Sequence, residues 1–260
     1  MLGPGTTLTH AAARMLADNN TLLIWSGEEG VRFYSFGTGG THSAARLLAQ
    51  IGAWADPQLR LGVIRRMYAK RFPEVTSAGT TLESIRAMEG NRVRNLYRTE
   101  SARTGVAWGG RNYDQTSWDR ADPVNRALSA ANSCMYGICH AAILTAGYSP
   151  AVGFIHTGKQ LSFVYDIADL YKAEITIPVA FDVAARVLDE EVPDDDIGGV
   201  TRRAVRDVVK SGWLMKQSSG LMRRWDARWF VLKSNHCLYY YKSPDADRVL
   251  GTVSLADVRI

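Results

Sequence analysis

Residues 127–147, ALSAANSCMYGICHAAILTAG, are packed with Ala, Gly and Ser. A helix of this composition lets neighbouring backbones approach closely, so it is expected at the centre of a helical core. The surrounding pattern agrees with that. From Thr41 to about Lys210 apolar residues recur at steps of three and four, and helices are expected at 42–54, 57–72, 81–100, 122–147, 162–173, 178–188 and near 200–210. The acidic run DEEVPDDD at 189–196 reads as a solvated connection. No apolar run approaches the roughly 18 residues that span a bilayer. The opening MLGPGTTLTH has neither a basic segment nor the apolar core of a secretory signal. A soluble, cytoplasmic protein is the expectation. Cys134, Cys139 and Cys237 show no metal-ligand spacing and are read as reduced thiols.

The two ends are written differently. Thr9 is placed to cap a short helix HAAARMLA, followed by a turn at Asp18-Asn19-Asn20. TLLIW (21–25) and VRFYSF (31–36) are β-rich and joined by SGEEG, which predicts a hairpin. GTGG (37–40) lacks the third glycine and the Lys-Ser/Thr of a phosphate-cradling loop, and is read as a flexible joint. After about Ser211 the chain turns aromatic: 7 of its 25 Phe, Trp and Tyr residues lie in the last 50 positions. GWLMK, RWFVLK, CLYYYK and LGTVSL there read as short antiparallel strands. The fold class is therefore α+β. A short helix and hairpin (1–37) precede a mainly α-helical domain (38–210), and an antiparallel β segment (211–260) follows without a linker.

The net charge is +5, but its distribution matters more than its total. Residues 211–260 carry 8 basic and 4 acidic side chains, and residues 60–126 carry 13 basic and 7 acidic ones. The basic groups of the first 210 residues are 19 Arg and only 4 Lys. Arginine presents a planar donor fork that suits phosphate oxygens, so a polyanion is a natural partner.

Four side chains stand out as chemistry. Glu89 falls on the apolar stripe Leu82, Ile85, Val93 and Leu96, where a carboxylate is costly unless it pairs with a cation or binds a metal. The structural alternative is a salt bridge to Arg86, Arg92 or Arg94 of its own helix. His156 stands in the loop-like HTGK segment, and Asp166 and Asp169 lie three apart on the following helix, hence on one face. Two Asp, a His and a Glu from another helix make an oxygen-and-imidazole set suited to Mg²⁺ or Mn²⁺. The alternative leaves the two Asp as exposed helix charges and gives His156 a loop hydrogen bond. No nucleophilic triad motif appears, and Tyr136 and Tyr165 are read as packing residues that hydrogen-bond through their hydroxyls.

AMEG around Glu89, GFIHTGK around His156, LSFVYDIAD around the two Asp, TLLIWSGEEGVRFY, SCMYGICHAAILTAGYSPAVGFIHTGK and the WGGRNYD loop at 108–114 carry a resemblance. From about Leu2 to Lys210 the chain resembles the CRISPR-associated integrase that captures spacers, in its subtype I-E form. The match begins at the last helix and hairpin of that family's β-domain and stops before its C-terminal helices, leaving Leu22–Trp25 and Val31–Phe36 as expected open strand edges. The resemblance implies a metal-dependent endonuclease and integrase that joins the 3′ ends of spacer DNA into the repeat by transesterification. It implies a homodimer that assembles with a second, smaller CRISPR-associated protein on double-stranded DNA. The family's Mg²⁺ or Mn²⁺ ligands fall on Glu89, His156 and Asp169, with Asp166 as an acidic neighbour in the catalytic group. Its DNA-contacting positions fall on Arg32, Arg86, Arg111, Tyr136, Lys159 and Lys172.

GWLMK, RWFVL and LYYYK, spanning about 45 residues, resemble the opening strands of a pleckstrin-homology domain. Such domains bind phosphoinositides through basic residues of the first two strands, here Lys216, Arg224 and Arg228, although Asp226 stands where another basic residue is expected. The leading reading is a DNA integrase. The alternatives are a membrane-surface or protein-binding module acting through 211–260, and a truncated DNA-binding relic without activity.

Overall fold

Pro123–Thr145 is the helix around which the first part of the chain is built: thirteen of its residues are buried, from Val124 to Ile143. A computed structural model describes residues 2–19, 21, 23–27, 33–37, 43–72, 82–111, 121–209, 211–217, 225–232, 237–243, 246 and 248–254. In chain order its first helix and hairpin are α1 (His10–Asp18), β1 (Leu23–Ser26) and β2 (Phe33–Gly37). The helices α2 (Ala45–Ala55), α3 (Pro57–Arg71), α4 (Leu82–Thr104), α5 (Pro123–Thr145), α6 (Ser162–Tyr171), α7 (Ile177–Leu188) and α8 (Ile197–Val209) follow. The last strands are β3 (Ser211–Gln217), β4 (Trp225–Leu232), β5 (Cys237–Tyr241) and β6 (Gly251–Ser254). The chain divides into two compact units, Met1–Arg202 and Arg203–Ile260, so the division falls inside α8.

The small-residue composition does what the sequence implied. Ala127, Leu128 and Ala131 are fully enclosed, and α5 packs against α6 and α7, whose Val164, Ala168, Ala180, Phe181 and Ala184 are equally buried. By length and apolarity α5 is a helix that could cross a membrane, contrary to the expectation of no such run. Yet 56% of that stretch is buried inside the unit, as befits a core helix. Asp122 begins it by accepting the Asn125 N–H at 2.9 Å, with Pro123 in the first turn. Gly147 ends it at φ 78°, where Tyr148 N donates to Ile143 O and Gly147 N to Leu144 O. That pair of bonds is the Schellman arrangement, which needs a left-handed residue.

Two expectations are corrected in detail. The helices expected at 162–173 and 178–188 are joined by a wide π turn, Lys172–Thr176, closed by Ile177 N donating to Lys172 O. Pro178 has no N–H to offer the Glu174 carbonyl, and the wider turn carries the helix past it. The acidic run is not merely a solvated connection. Asp194–Asp196 form a 3₁₀ turn, and the guanidinium of Arg126, 7% exposed, is bonded to the Asp194 carboxylate. That bond holds the Asp194 carboxyl below the usual carboxylate range.

The N-terminal hairpin forms as expected, with Leu23 opposite Gly37 and Trp25 opposite Ser35. Its β1 edge is not open at Trp25, because Leu2 forms a parallel bridge there and Leu2 N donates to Ile24 O at 2.7 Å. Thr9 caps α1 by accepting the Ala12 N–H. Of the joint expected at 37–40, Gly37 closes β2, and residues 38–40, like the loop residues 112–114, fall outside the described residues. In the second unit β3 to β6 form a four-stranded antiparallel meander in sequence order, with Trp213 opposite Trp229 and Phe230 opposite Tyr240. Gly251 lies under the Tyr240 ring: a Cβ there would come 2.3 Å from the phenol oxygen.

The chain between α5 and α6 carries the HTGK segment, and α2 and α3 clamp it. Gln50, 4% exposed, donates through Nε2 to Ser149 O (3.0 Å) and Val152 O (2.9 Å) and accepts Ser149 N–H (2.8 Å). Arg46 donates to Ala146 O, and Arg60 donates twice to Phe154 O, at 3.1 and 2.8 Å. Gly153 crosses the start of α6 so closely that a Cβ would sit 2.3 Å from His156 O and 2.7 Å from Ser162.

Replacing Gln50→Leu leaves three part-buried backbone groups without this partner and is expected to lower unfolding free energy in urea by about 2 kcal/mol; an unchanged midpoint would show that the clamp carries no stability. Cys134 and Cys139 are buried thiols, and burial pushes the Cys139 thiol up to about 12. Neither should be alkylated by iodoacetamide at pH 8 until denaturant is added, as read by peptide mass spectrometry.

Candidate active site

Asp166 is the centre of the local geometry. Its side chain is fully buried, and its two oxygens accept the backbone N–H groups of Phe154 (2.5 Å), Ile155 (3.0 Å) and His156 (2.8 Å). Oδ1 also takes Nδ1 of the His156 ring at 2.8 Å. The exposed-charge alternative therefore fails for this residue. A carboxylate bonded to three amides folds the loop around itself, and it fixes the ring so that Nδ1 carries its proton toward Asp166. The other nitrogen, Nε2, has no hydrogen-bond partner among the described residues, and the side chain is 44% exposed. The hydrogen bond to Asp166 raises the His156 pKa above the ordinary imidazole value; burial opposes this, and Asp169 adds to it.

Asp169 lies one turn further along α6, on the same face. Its Oδ1 is 2.6 Å from Nζ of Lys172, an ion pair whose angles are too oblique for a hydrogen bond. Its Oδ2 is 4.0 Å from Nη1 of Arg71. The same Nη1 is 2.6 Å from Glu89 Oε1 on α4, so one guanidinium nitrogen brings the two carboxylates together. Glu89 Oε2 accepts the hydroxyl of Tyr68, which is 2% exposed. Among the described residues the cation paired with Glu89 comes from the last turn of α3, while the side chain of Arg86, one of the alternatives on its own helix, falls outside them. Arg71 and Tyr68, three apart, share one face of α3 and reach across to α4. Sequence reasoning missed both, because α3 carries basic residues all round and no apolar stripe singles them out.

Lys172 leaves the first residue of the π turn. It donates to the Tyr136 hydroxyl at 2.8 Å, and its ammonium stands 5.0 Å from the centre of that ring. Burial alone would lower its pKa, but Asp169 and Tyr136 together raise it, so the side chain stays cationic. Tyr136 packs edge-on against Tyr165, and Tyr165 against His156, with centroids 5.1 and 5.9 Å apart.

The remaining expected positions divide. Arg111 is engaged with α5, donating from Nη1 to Asn125 O and Oδ1 and from Nη2 to Ser129 Oγ, all within 3.0 Å. Lys159 is exposed, in a turn closed by Ser162 Oγ, which accepts its N–H and donates to its carbonyl. Arg86 lies on α4, while its side chain and the whole of Arg32 and Arg224 fall outside the described residues. Lys216 on β3 is directly opposite Asp226 on β4, and Arg228 is opposite Leu214.

As arranged here, no three His, Cys, Asp or Glu side chains among the described residues enclose an ion. The donors nonetheless fit a hard divalent cation. Two carboxylates and one imidazole suit it, Asp169 Oδ1 is buried without a hydrogen bond, and the two cations at the pair stand where a metal's charge would act.

Comparison with known proteins agrees with this geometry. The family model "CRISPR associated protein Cas1" matches residues 68–192, and the "PH domain" model matches 208–260. The chain is 53% identical over 216 residues to a CRISPR-associated endonuclease Cas1 of Thermus thermophilus, covering 83% of this chain and 65% of that protein. It is 47% identical over 211 residues to the CRISPR-associated endonuclease Cas1 of Escherichia coli, covering 81% and 67%. The chain thus spans about two thirds of the length of these relatives. A crystal structure of a TtCas1–DNA complex superposes with a TM-score of 0.68 at 53% identity, over 80% of this chain and 75% of that one. The helical unit, with Glu89, His156, Asp166 and Asp169 gathered on α4, α6 and the loop between α5 and α6, belongs to the CRISPR-associated Cas1 family.

Proposed function

We propose that this chain is a metal-dependent DNA endonuclease and integrase of CRISPR adaptation, acting on double-stranded spacer and repeat DNA by phosphodiester transfer. The observation that carries the reading is the convergence of Glu89 and Asp169 on one nitrogen of Arg71, beside a histidine whose Nε2 is turned away from its carboxylate partner. The relatives' names as endonucleases, and the complex of a relative with DNA, support it.

Glu89, His156 and Asp169 would hold the metal, and Asp166 acts as a positioning residue through His156. A bound Mg²⁺ or Mn²⁺ supplies Lewis-acid polarisation of a phosphate oxygen and activation of an attacking hydroxyl. In strand joining, a 3′-hydroxyl gives up its proton and forms a new bond to phosphorus, the old P–O3′ bond breaks, and the departing 3′-oxygen takes up a proton, so that one proton is lost and one gained. The chain's own residues set the stage for this. Asp166 fixes the imidazole orientation, the Tyr68 hydroxyl orients Glu89, and Lys172 keeps a positive charge beside Asp169 at neutral pH. Lys159 offers an exposed cation near the loop, and phosphate contacts of this kind position DNA without reading its sequence. A homodimer, a second smaller adaptation protein and a cytoplasmic location complete the reading.

The test is cleavage and joining of a labelled branched duplex with Mn²⁺, Mg²⁺ or EDTA, comparing the intact chain with Glu89→Ala and His156→Ala. Metal-dependent products that vanish in both variants are expected; unchanged products in either would overturn the reading. Asp166→Asn, checked for folding by circular dichroism, should weaken Mn²⁺ binding by about 10–100-fold while Glu89 and Asp169 remain in place. Wild-type affinity in that variant would remove the positioning role.

A further inference from the structure

Arg71 has no place in the mechanism above, yet it touches both carboxylates of the site. We propose that Arg71 is an exchangeable internal counter-ion: in the metal-free protein its guanidinium bridges Glu89 and Asp169, and a divalent cation must displace it to bind. The inference rests on the metal reading of the same site and adds a residue that regulates its loading.

Three of the four carboxylate oxygens have a cation or hydroxyl within 3.0 Å, and the fourth faces a cation from 4.0 Å. Glu89 Oε1 faces Arg71 Nη1 at 2.6 Å, and Oε2 accepts from Tyr68 at 3.0 Å. Asp169 Oδ2 faces the same Arg71 nitrogen at 4.0 Å, and Oδ1 faces Lys172 at 2.6 Å. A metal drawing an oxygen from each residue competes with Arg71 for both. The Arg71 side chain is only 10% exposed, so its charge is largely desolvated and needs an anion. Both contacts run through the one nitrogen Nη1, and the weakly hydrated guanidinium suits so enclosed an ion pair better than an ammonium does.

In the same position the guanidinium already makes an aromatic contact that needs no anion. The Arg71 guanidinium carbon stands 5.0 Å from the centre of the Phe72 ring, whose other cationic neighbour, Arg92, is at 4.9 Å. An aromatic face holds a displaced guanidinium close to the site without an anion. The charges then couple two ligands. Glu89 and Asp169 are balanced by Arg71 and Lys172, so a divalent cation leaves the cluster with surplus positive charge that a phosphodiester can take up. Metal and DNA should therefore favour each other's binding.

The experiment is Mn²⁺ titration of the full chain by electron paramagnetic resonance, with thermal unfolding alongside, for the wild type, Arg71→Met and Arg71→Lys. Arg71→Met should bind Mn²⁺ roughly tenfold more tightly, melt at a lower temperature without metal, and gain more from Mn²⁺ than the wild type does. Arg71→Lys should fall between them. Equal or weaker Mn²⁺ binding by Arg71→Met, with the wild type binding normally, overturns the exchange while leaving the metal reading intact. No Mn²⁺ bound by the folded wild type removes the metal reading and the exchange with it. A crystal of the wild type grown with Mn²⁺ gives an answer that needs no substitution: a metal on Glu89 with Arg71 Nη1 still at 2.6 Å overturns the proposal.

Discussion

A single buried carboxylate organises this site. Asp166 has no access to water, and a buried ionised carboxylate survives only where several donors converge on it. Here the donors are three consecutive backbone amides and an imidazole, and they come from the loop that follows α5. Beyond this carboxylate the loop meets α6 through Phe154, which is buried edge-on against Phe163, while residues 157–160 are exposed. Burying Asp166 thus fixes the loop, the loop fixes the ring of His156, and the ring's free nitrogen is aimed by a residue that contacts no substrate. The clamps from Gln50, Arg46 and Arg60 hold the loop from behind. Gly153 is required because the backbone passes too close to α6 for any side chain.

The fold was largely legible because its strongest signals are local. The small-residue helix, the three-and-four spacing and the aromatic strands each report on neighbours along the chain, so the expected helix limits lie within a few residues of those observed. Departures occur where a non-local partner decides the outcome. The π turn could be anticipated only by asking which carbonyl Pro178 leaves unserved. The tie between Arg126 and Asp194 joins positions far apart in sequence, and no pattern within the acidic run announces it. The apolarity of α5 misled in the other direction: a core helix and a membrane helix share composition, and only packing separates them.

The site divides in the same way. Glu89 was visible as a charge on an apolar stripe, and the Asp pair as an i, i+3 spacing, because each breaks a local pattern. Which cation neutralises Glu89 was not visible. The candidates on α4 itself were the natural choice from sequence, yet a helix presents neighbouring turns along its own surface rather than into its buried seam. A carboxylate on the inward face meets side chains that reach it from another helix, here Tyr68 and Arg71 of α3.

The same reasoning sorts the positions that resemblance assigns to DNA. A cation gains affinity for a phosphate by releasing condensed counterions, and one already engaged by protein acceptors must first give them up. Arg111 donates to three acceptors on α5, and Lys172 is held by Asp169 and Tyr136. Lys159 is exposed and meets no described anion. Resemblance places all three in one class, whereas the structure separates two cations that shape the site from one that is available to a passing strand. Lys172 would join the available group only when something relieves Asp169 of its negative charge, and a cation bound to that carboxylate does so.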